Sequence, residues 1–514
     1  MKHPPPNSDV AVPTVPTGQA APGSRRWPAL VCGFIVVCVG WLCFVQGRAE
    51  PHYLFWDENY HVTSAERYLQ GVAHFEPHPP LALMLIAAGE KLSGTNQGID
   101  KHVLVTKKQI SGDELPKGFD FSGMRLMPAL FAVFGGVAFY GLMLALFANP
   151  WQALLLSGLY LFENAFAVHF RAVHLDSFQI CFCTAALWRF VVLWQRQAPL
   201  RAVDYAGVTA LVALGIMVKV NAVVLLLLPV LLYLREAWAR HRFDVLDFTR
   251  KSGTSVLSLL AVFYLVFLVH TALVRTLPDV ATPAGKQDID NMSPQYLEFL
   301  RNHGTLTPGL VVVVARDYFR FMDKDHLGVP KLNPANPGEN GSHPLHWPFH
   351  DRNINYRWDS ADGKTSYVEL IGNQLAWYSG TAAVFFSLLL VSNRRLFGMK
   401  PACSMRTYGL IEAFTALYVA FMVMNLWLIQ QRVMYLYHYF IGLILSYVLL
   451  ALVWRYVCEV KPRFGRWRTR ILAGFMTACF VSYMFFLPLN NHWPLTKAQC
   501  ERRNIWISHL LDCR

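Results

Sequence analysis

Apolar residues fall along most of this chain in long runs separated by polar connections. The runs lie near 28–47, 124–146, 150–168, 176–194, 203–217, 219–234, 254–275, 376–394, 408–429, 436–457 and 470–488. A helix of about 20 residues covers the roughly 30 Å hydrocarbon core of a bilayer, so runs of this kind read as membrane spans. The pattern predicts an all-α polytopic membrane protein of about 11 transmembrane helices. The two runs that meet near Lys219 are short, so they fit either one long helix or a broken pair, and a count of ten stays open. Residues 1–26 are rich in Pro, Ser, Thr, Ala and Gly without apolar periodicity, which predicts a disordered tail. The first run follows Arg25 and Arg26, is longer than a signal-peptide core and lacks an A-x-A site; it reads as an uncleaved anchor.

Two long polar stretches, 48–123 and 276–376, interrupt the spans. They divide the chain into an N-terminal membrane module over 27–275 that includes the first stretch, the second stretch itself, C-terminal helices over 377–489, and a tail over 490–514. Loops this long in a compact protein are usually functional.

Composition sharpens the class. Of the 514 residues 54% are hydrophobic and 15% charged, against about 25% charged in soluble proteins, which excludes a disordered chain, a small disulfide scaffold and an ordinary cytosolic enzyme. The formal charge of +13 raises the question of an acidic partner, and position answers it. The connections 195–201, 235–253, 393–406 and 455–470 carry 17 Lys and Arg against four acids, the positive-inside pattern. That places them and the N-terminal tail in the cytoplasm, and the two long loops and the C-terminal tail outside. No basic stripe with interleaved aromatics stands apart from these connections, so nucleic acid is not an expected partner; the lipid bilayer is. The ten cysteines are scattered and none pairs with His at zinc spacing. Cys500 and Cys513 share the outer tail and are a candidate disulfide.

Candidate chemistry gathers at the outer ends of the spans. Just past the first span, "YLFWDENYHVTSAERYLQGVAHFEPHPPLALMLI" places Asp57 and Glu58 side by side at the mouth of a helix. Acids near the hydrocarbon edge are costly and tend to mark function, although two N-cap acids would look the same. His78 opens a Pro-Pro turn into a short apolar stretch, 81–88, that fits the interface or a re-entrant dip. In "FENAFAVHFRAVHLDSFQI", Arg171 offers a guanidinium fork suited to phosphate or to a salt bridge with an acid, and Asp176 suits a helix cap or an active-site scaffold. Lys219 stands between apolar runs, to snorkel or to meet the same anion. The second outer loop supplies "GSHPLHWPF" with Trp347, and "QQRVMYLYHYF" supplies Arg432, His438 and Tyr439 at an outer helix end, where aromatics are also expected from the interfacial belt.

The Asp-Glu pair after the first span, the HPPL that follows it, the "EN…R…LDS" segment, the lone Lys, the "SHPLHWPF…GN…W" entry and "YHYF" occur in collinear order from about Phe55 to Leu450. In this the chain resembles the protein O-mannosyltransferases, members of the C-type glycosyltransferase fold that use a polyprenyl-phosphate sugar. The resemblance implies that Asp57 is the catalytic acid of the family's pair with Glu58 its neighbour, and that Arg171 is the arginine before the LDS segment. His78, Asp176, Trp347, His438 and Tyr439 occupy further motif positions. The chain departs from the family at Ala82-Leu83, where Gly-Lys is common, and at Glu163-Asn164, where Asp-Asn is usual. Its second outer loop is too short for the β-trefoil insert of eukaryotic members, which makes it look bacterial, and a bacterial inner (plasma) membrane is the expected location.

The expected reaction follows from these residue types. A hydroxyl of an acceptor protein or peptide attacks the anomeric carbon with inversion while Asp57 takes its proton as general base. A lipid phosphate leaves, stabilised by Arg171, with Lys219 and Arg432 as further cations. No metal cluster is required, though paired acids leave room for a divalent cation. A glycolipid or polysaccharide acceptor is the alternative within this chemistry; a transporter or a non-catalytic lipid-binding membrane protein is the alternative outside it.

Overall fold

The computed structural model describes residues 26–336, 338–504 and 511–514. The tail expected over 1–26 lies outside the described residues except for Arg26, which opens the first helix. Among the described residues nine helices are long and apolar enough to cross a membrane: Arg26–Val45, Leu126–Phe147, Asp176–Gln195, Val220–Ala239, Val245–Leu273, Gln374–Phe397, Met405–Leu428, Leu436–Val460 and Arg468–Asn490. Nine of the eleven expected runs are thus single helices of spanning length among the described residues, and the two that are shorter have local causes.

The run 150–168 is divided. Asn149 accepts from the N–H groups of Trp151 and Gln152 to start Pro150–Leu161; that helix stops at Phe162, and Glu163 caps a short second helix, Asn164–His169. The run 203–217 is the shorter helix Ala202–Ile216. It gives way to an extended Lys219 (φ −145°, ψ 132°) before the chain re-enters a 3-10 turn at Val220. The stretch around Lys219 is thus a broken pair, and the break turns the Lys219 carbonyl outward to accept from Gln179 Nε2 at 2.7 Å.

Leu126–Phe147 is apolar all round and packs against Asp176–Gln195, Pro150–Leu161 and the first helix, as a helix buried on most sides must. In the first helix and in Val245–Leu273 only 28% and 22% of the most apolar stretch is buried, the exposure that lipid-facing helices carry.

The two long loops are structured. The first holds the helices Glu58–Leu69 and Leu81–Ser93, the latter longer than the dip expected over 81–88 and mostly buried. The second holds three helices that each begin with Pro behind a Ser or Thr cap: Pro283–Asp290, Pro294–Arg301 and Pro308–Gly328. Ala73 N–H donates to the Thr276 carbonyl (2.9 Å) and Thr276 N–H to the Gly71 carbonyl (2.8 Å), which joins the loops by backbone. Asp288, buried, receives Arg67 at 3.2 Å and Lys108 at 3.1 Å and joins them by charge.

The all-α expectation needs one correction. β1 (Ile354–Ala361) and β2 (Lys364–Leu370) form an antiparallel hairpin, and β3 (Pro494–Leu495), from the C-terminal tail, pairs with β2 as a third strand. The hairpin turns at Asp362-Gly363, both at positive φ (51° and 70°), the geometry that an Asp-Gly pair accepts readily. A disulfide joins Cys500 to Cys513 beyond β3, and Arg514 lies 3.6 Å from the Trp358 ring centroid, so the tail is closed onto the sheet.

Candidate active site

The adjacent acids Asp57 and Glu58 have separate surroundings. Glu58 is fully buried. Its Oε1 accepts from Arg125 Nε (2.7 Å) and Val173 N–H (2.8 Å), and its Oε2 from Arg125 Nη2 (2.8 Å) and Phe55 N–H (3.2 Å). All four lone-pair positions of the carboxylate are filled. Arg125 also donates to the carbonyls of Arg48, Ala49, Pro51 and Tyr53. The Glu58 carboxylate thus clamps segment 48–58 to the mouth of Leu126–Phe147, with each of its lone-pair positions engaged by Arg125 or by backbone N–H groups.

Asp57 is half-buried and stands at the N-cap of Glu58–Leu69, yet its side chain caps no helix N–H. The residue before it, Trp56, is held at φ 54°, a strained backbone that costs an indole residue on the order of 1–3 kcal/mol and is characteristic of functional sites. The Asp57 Oδ2 lies 3.5 Å from the Tyr437 hydroxyl. Burial pushes the Asp57 carboxyl up to about 6; Lys219 pulls it down, Asp176 pushes it up, and Tyr437 and Arg432 add smaller downward pulls.

Asp176, in the first turn of its helix, accepts Lys219 Nζ at 2.8 and 2.7 Å and faces His169 Nε2 at 2.7 Å. Lys219 is buried rather than snorkelling, with Nζ 5.0 Å from the Tyr437 ring centroid. His169 carries the chain onward: its Nδ1 meets the Tyr356 hydroxyl at 2.7 Å and its ring stacks on Tyr437 at 5.0 Å. Tyr437 therefore touches the Asp57 carboxylate with its hydroxyl and roofs the Lys219–Asp176 pair with its ring. His438 also stacks on Tyr437, at 4.6 Å. Arg432, half-buried, makes a single 3.4 Å contact from Nε to the Val433 carbonyl and no ion pair among the described residues.

The remaining expected residues are placed as follows. Arg171 donates to the Asn490 carbonyl at 3.0 Å and to Asn491 Oδ1. Its guanidinium thus joins the connection before Asp176 to the end of the last span, and the salt bridge to an acid does not form among the described residues. His78 is half-buried, its carbonyl accepting from the Tyr318 hydroxyl (3.0 Å) and its ring 6.5 Å from His326. Burial and the Lys219 charge hold its imidazole well below the usual range, so it is neutral. Trp347 and Tyr439 are fully buried, 6.2 Å apart, with Trp347 Nε1 donating to Ser342 Oγ (2.9 Å) and the Tyr439 hydroxyl paired with that of Tyr418 (2.8 Å). They form an aromatic core beneath the site rather than its surface.

Three residues of this assembly have no role in the sequence reading: Arg125, His169 and Tyr356. Arg125 carried a usable signal, a lone cation at the mouth of an apolar run, as Lys219 did. Tyr356 carried none, because it lies on a strand that the helical pattern hid. Among the described residues no group of three or more His, Cys, Asp or Glu is arranged to hold a metal ion.

The arrangement offers one carboxylate able to hold and release a proton near neutrality, beside two cations on the same end of the helical body. The family model described as dolichyl-phosphate-mannose-protein mannosyltransferase matches residues 34–276. The model of the C-terminal four-span region of protein O-mannosyltransferase matches residues 330–509. A stretch of 146 residues is 26% identical to dolichyl-phosphate-mannose–protein mannosyltransferase 1 of Saccharomyces cerevisiae, taking in 28% of this chain and 17% of that protein. The fold is similar to a chain of the S. cerevisiae protein O-mannosyltransferase Pmt1-Pmt2 complex bound to the sugar donor, with a TM-score of 0.75, 14% identity, and coverage of 94% of this chain and 93% of that one.

Proposed function

Because the chain belongs to the protein O-mannosyltransferase family, we propose that it moves mannose from a polyprenyl-phosphate carrier to Ser and Thr hydroxyls of exported proteins, at the outer face of a bacterial inner membrane. The observation that carries this reading is Asp57: a half-buried carboxylate with no ion pair, bonded to Tyr437 and within the field of Lys219 and Arg432.

As the acceptor oxygen forms its bond to the anomeric carbon, Asp57 takes the hydroxyl proton. The bond from that carbon to the carrier phosphate breaks, and the phosphate keeps the electron pair. Attack from the face opposite the leaving group inverts the centre. Lys219 and Arg432 neutralise the charge that grows on the phosphate, Lys219 held rigid by Asp176 and Tyr437. Glu58 and Arg171 act one step removed, by holding the connections that carry Asp57 and Asp176.

The test is transfer in liposomes containing polyprenyl-phosphate mannose and a Ser/Thr-rich peptide, with the product read by mass. The wild type adds a hexose to the peptide, and Asp57→Asn, equally folded, does not. Full transfer by Asp57→Asn would overturn the mechanism; no glycopeptide from the wild type would overturn the acceptor.

A further inference from the structure

A cavity of about 410 Å³ opens between the helices Pro283–Asp290 and Pro308–Gly328 of the second loop, within the range of about 300–1,000 Å³ typical of ligand pockets. Buried Phe321 forms part of its wall, and Gln287, Asn291, Lys324 and Asp325 line it. Asn291 uses only its Nδ2, on the Gln287 carbonyl. Neither Lys324 nor Asp325 makes an ion pair among the described residues. These are exposed or half-buried amides and charges of both signs over an aromatic surface, and such a lining matches the alternating donors and acceptors of an extended polypeptide.

The cavity adjoins the site. Its edge residue Pro330 accepts from Val433 N–H at 2.8 Å, next to Arg432. His326, one residue beyond Asp325, faces His78 at 6.5 Å. Tyr60, 41% exposed, lies one turn past Asp57 on Glu58–Leu69, and burial together with the nearby charges of Asp57, Asp325 and Glu76 raises its hydroxyl.

We propose that this cavity binds the acceptor polypeptide beside its reacting Ser or Thr, Gln287 and Asn291 pairing with its backbone, so that the chain runs past Tyr60 and presents the hydroxyl to Asp57. The inference rests on the peptide acceptor of the proposed function. Its test reads binding separately from turnover.

Gly328 lines the cavity edge and a Cβ there meets nothing within 4 Å, so Gly328→Phe sets a bulky ring at the cavity edge without a clash at its Cβ. Protein in nanodiscs is titrated into a fluorescein-labelled Ser/Thr-rich peptide, and anisotropy gives the Kd. Gly328→Phe and the double variant Gln287→Ala/Asn291→Ala each weaken binding about tenfold or more, with an unchanged KM for the lipid donor and an unchanged unfolding midpoint. Asp57→Asn binds the peptide as the wild type does. Equal Kd values for wild type and both cavity variants, or no peptide binding by the wild type, overturn the proposal. Binding lost in the variants while the wild type binds peptide without glycosylating it supports the cavity and overturns only the proposed transfer.

Discussion

Replacing Asp57 by Asn should make the protein more stable while removing its activity. In the fold the Asp57 carboxyl is pushed up from 3.8 to about 6, by burial before anything else. One pKa unit corresponds to 1.36 kcal/mol, so holding this group ionised at neutral pH costs the fold on the order of 2–3 kcal/mol after allowance for the part that water reaches. The sign follows from the direction of the shift. Above about 6 both the folded and unfolded chains carry the charge and the full cost applies; between about 6 and 3.8 the folded chain takes up its proton first and the cost shrinks; below 3.8 it is gone. Asn has nearly the same shape and no charge to hold. The unfolding midpoint of Asp57→Asn in detergent should therefore exceed that of the wild type at neutral pH, and the gap should close as pH falls toward about 4. In the wild type, log(kcat/KM) should rise with unit slope up to about 6 and level off above it. A variant that melts below the wild type at neutral pH, or a gap that does not narrow on acidification, would show that Asp57 is stabilised by its neighbours and is not a strained base.

Other substitutions separate charges that hold the site from charges that act in it. Lys219→Met strands buried Asp176 beside His169 and should cost about 3–5 kcal/mol; adding Asp176→Asn should restore most of the stability and none of the transfer, read by unfolding and by glycopeptide yield. Glu58→Gln removes the partner of buried Arg125 and should destabilise by a similar roughly 3–5 kcal/mol, with the KM values of the surviving folded protein near those of the wild type. Arg432→Ala breaks no ion pair, so its stability should stay within about 0.5 kcal/mol of the wild type, while steady-state assays show kcat with the lipid donor falling about 10²-fold. Cys500→Ser should abolish the crosslink seen by mass under non-reducing conditions and speed proteolysis of the tail beyond β3.

Most of the helical body was legible because lipid selects on composition over a fixed length, and nine of the runs met that condition by themselves. The other two runs are shortened by polar breaks. The break at Phe162–Glu163 divides the run 150–168 around a buried Glu that average hydropathy does not reveal, and the break at Val218–Lys219, at a buried Lys, is the one that the two short runs on either side of it already allow. Glu163 accepts from the N–H groups of Ala165 and Asn373 and from the Tyr447 hydroxyl, so the interruption exists to dock Gln374–Phe397 and Leu436–Val460 onto it. The hairpin has a local signal, Ala-Asp-Gly-Lys at 361–364 between alternating residues, but it sits within a long polar loop where no apolar run draws the eye to it. The third strand, from residues more than 100 positions away, had none.

The pair Asp57 and Glu58 shows why motif reading reached the site but did not divide its labour. Side by side in sequence, the two acids differ only in what comes to meet them from Arg125, Val173 and Tyr437. A buried charge is tolerated when it is paired and hydrogen-bonded, and on this end of the protein nearly every charge of the site finds such a partner: Glu58 with Arg125, Asp176 with Lys219, Asp288 with Arg67 and Lys108. Asp57 and Arg432 are left over. They do not pair with each other, although Arg432 is near enough to lower the carboxyl of Asp57. A fold that keeps a half-buried acid and a half-buried base apart, at a cost in stability, leaves between them a place where a proton and a phosphate charge complete the balance. The substrate of the proposed reaction brings both.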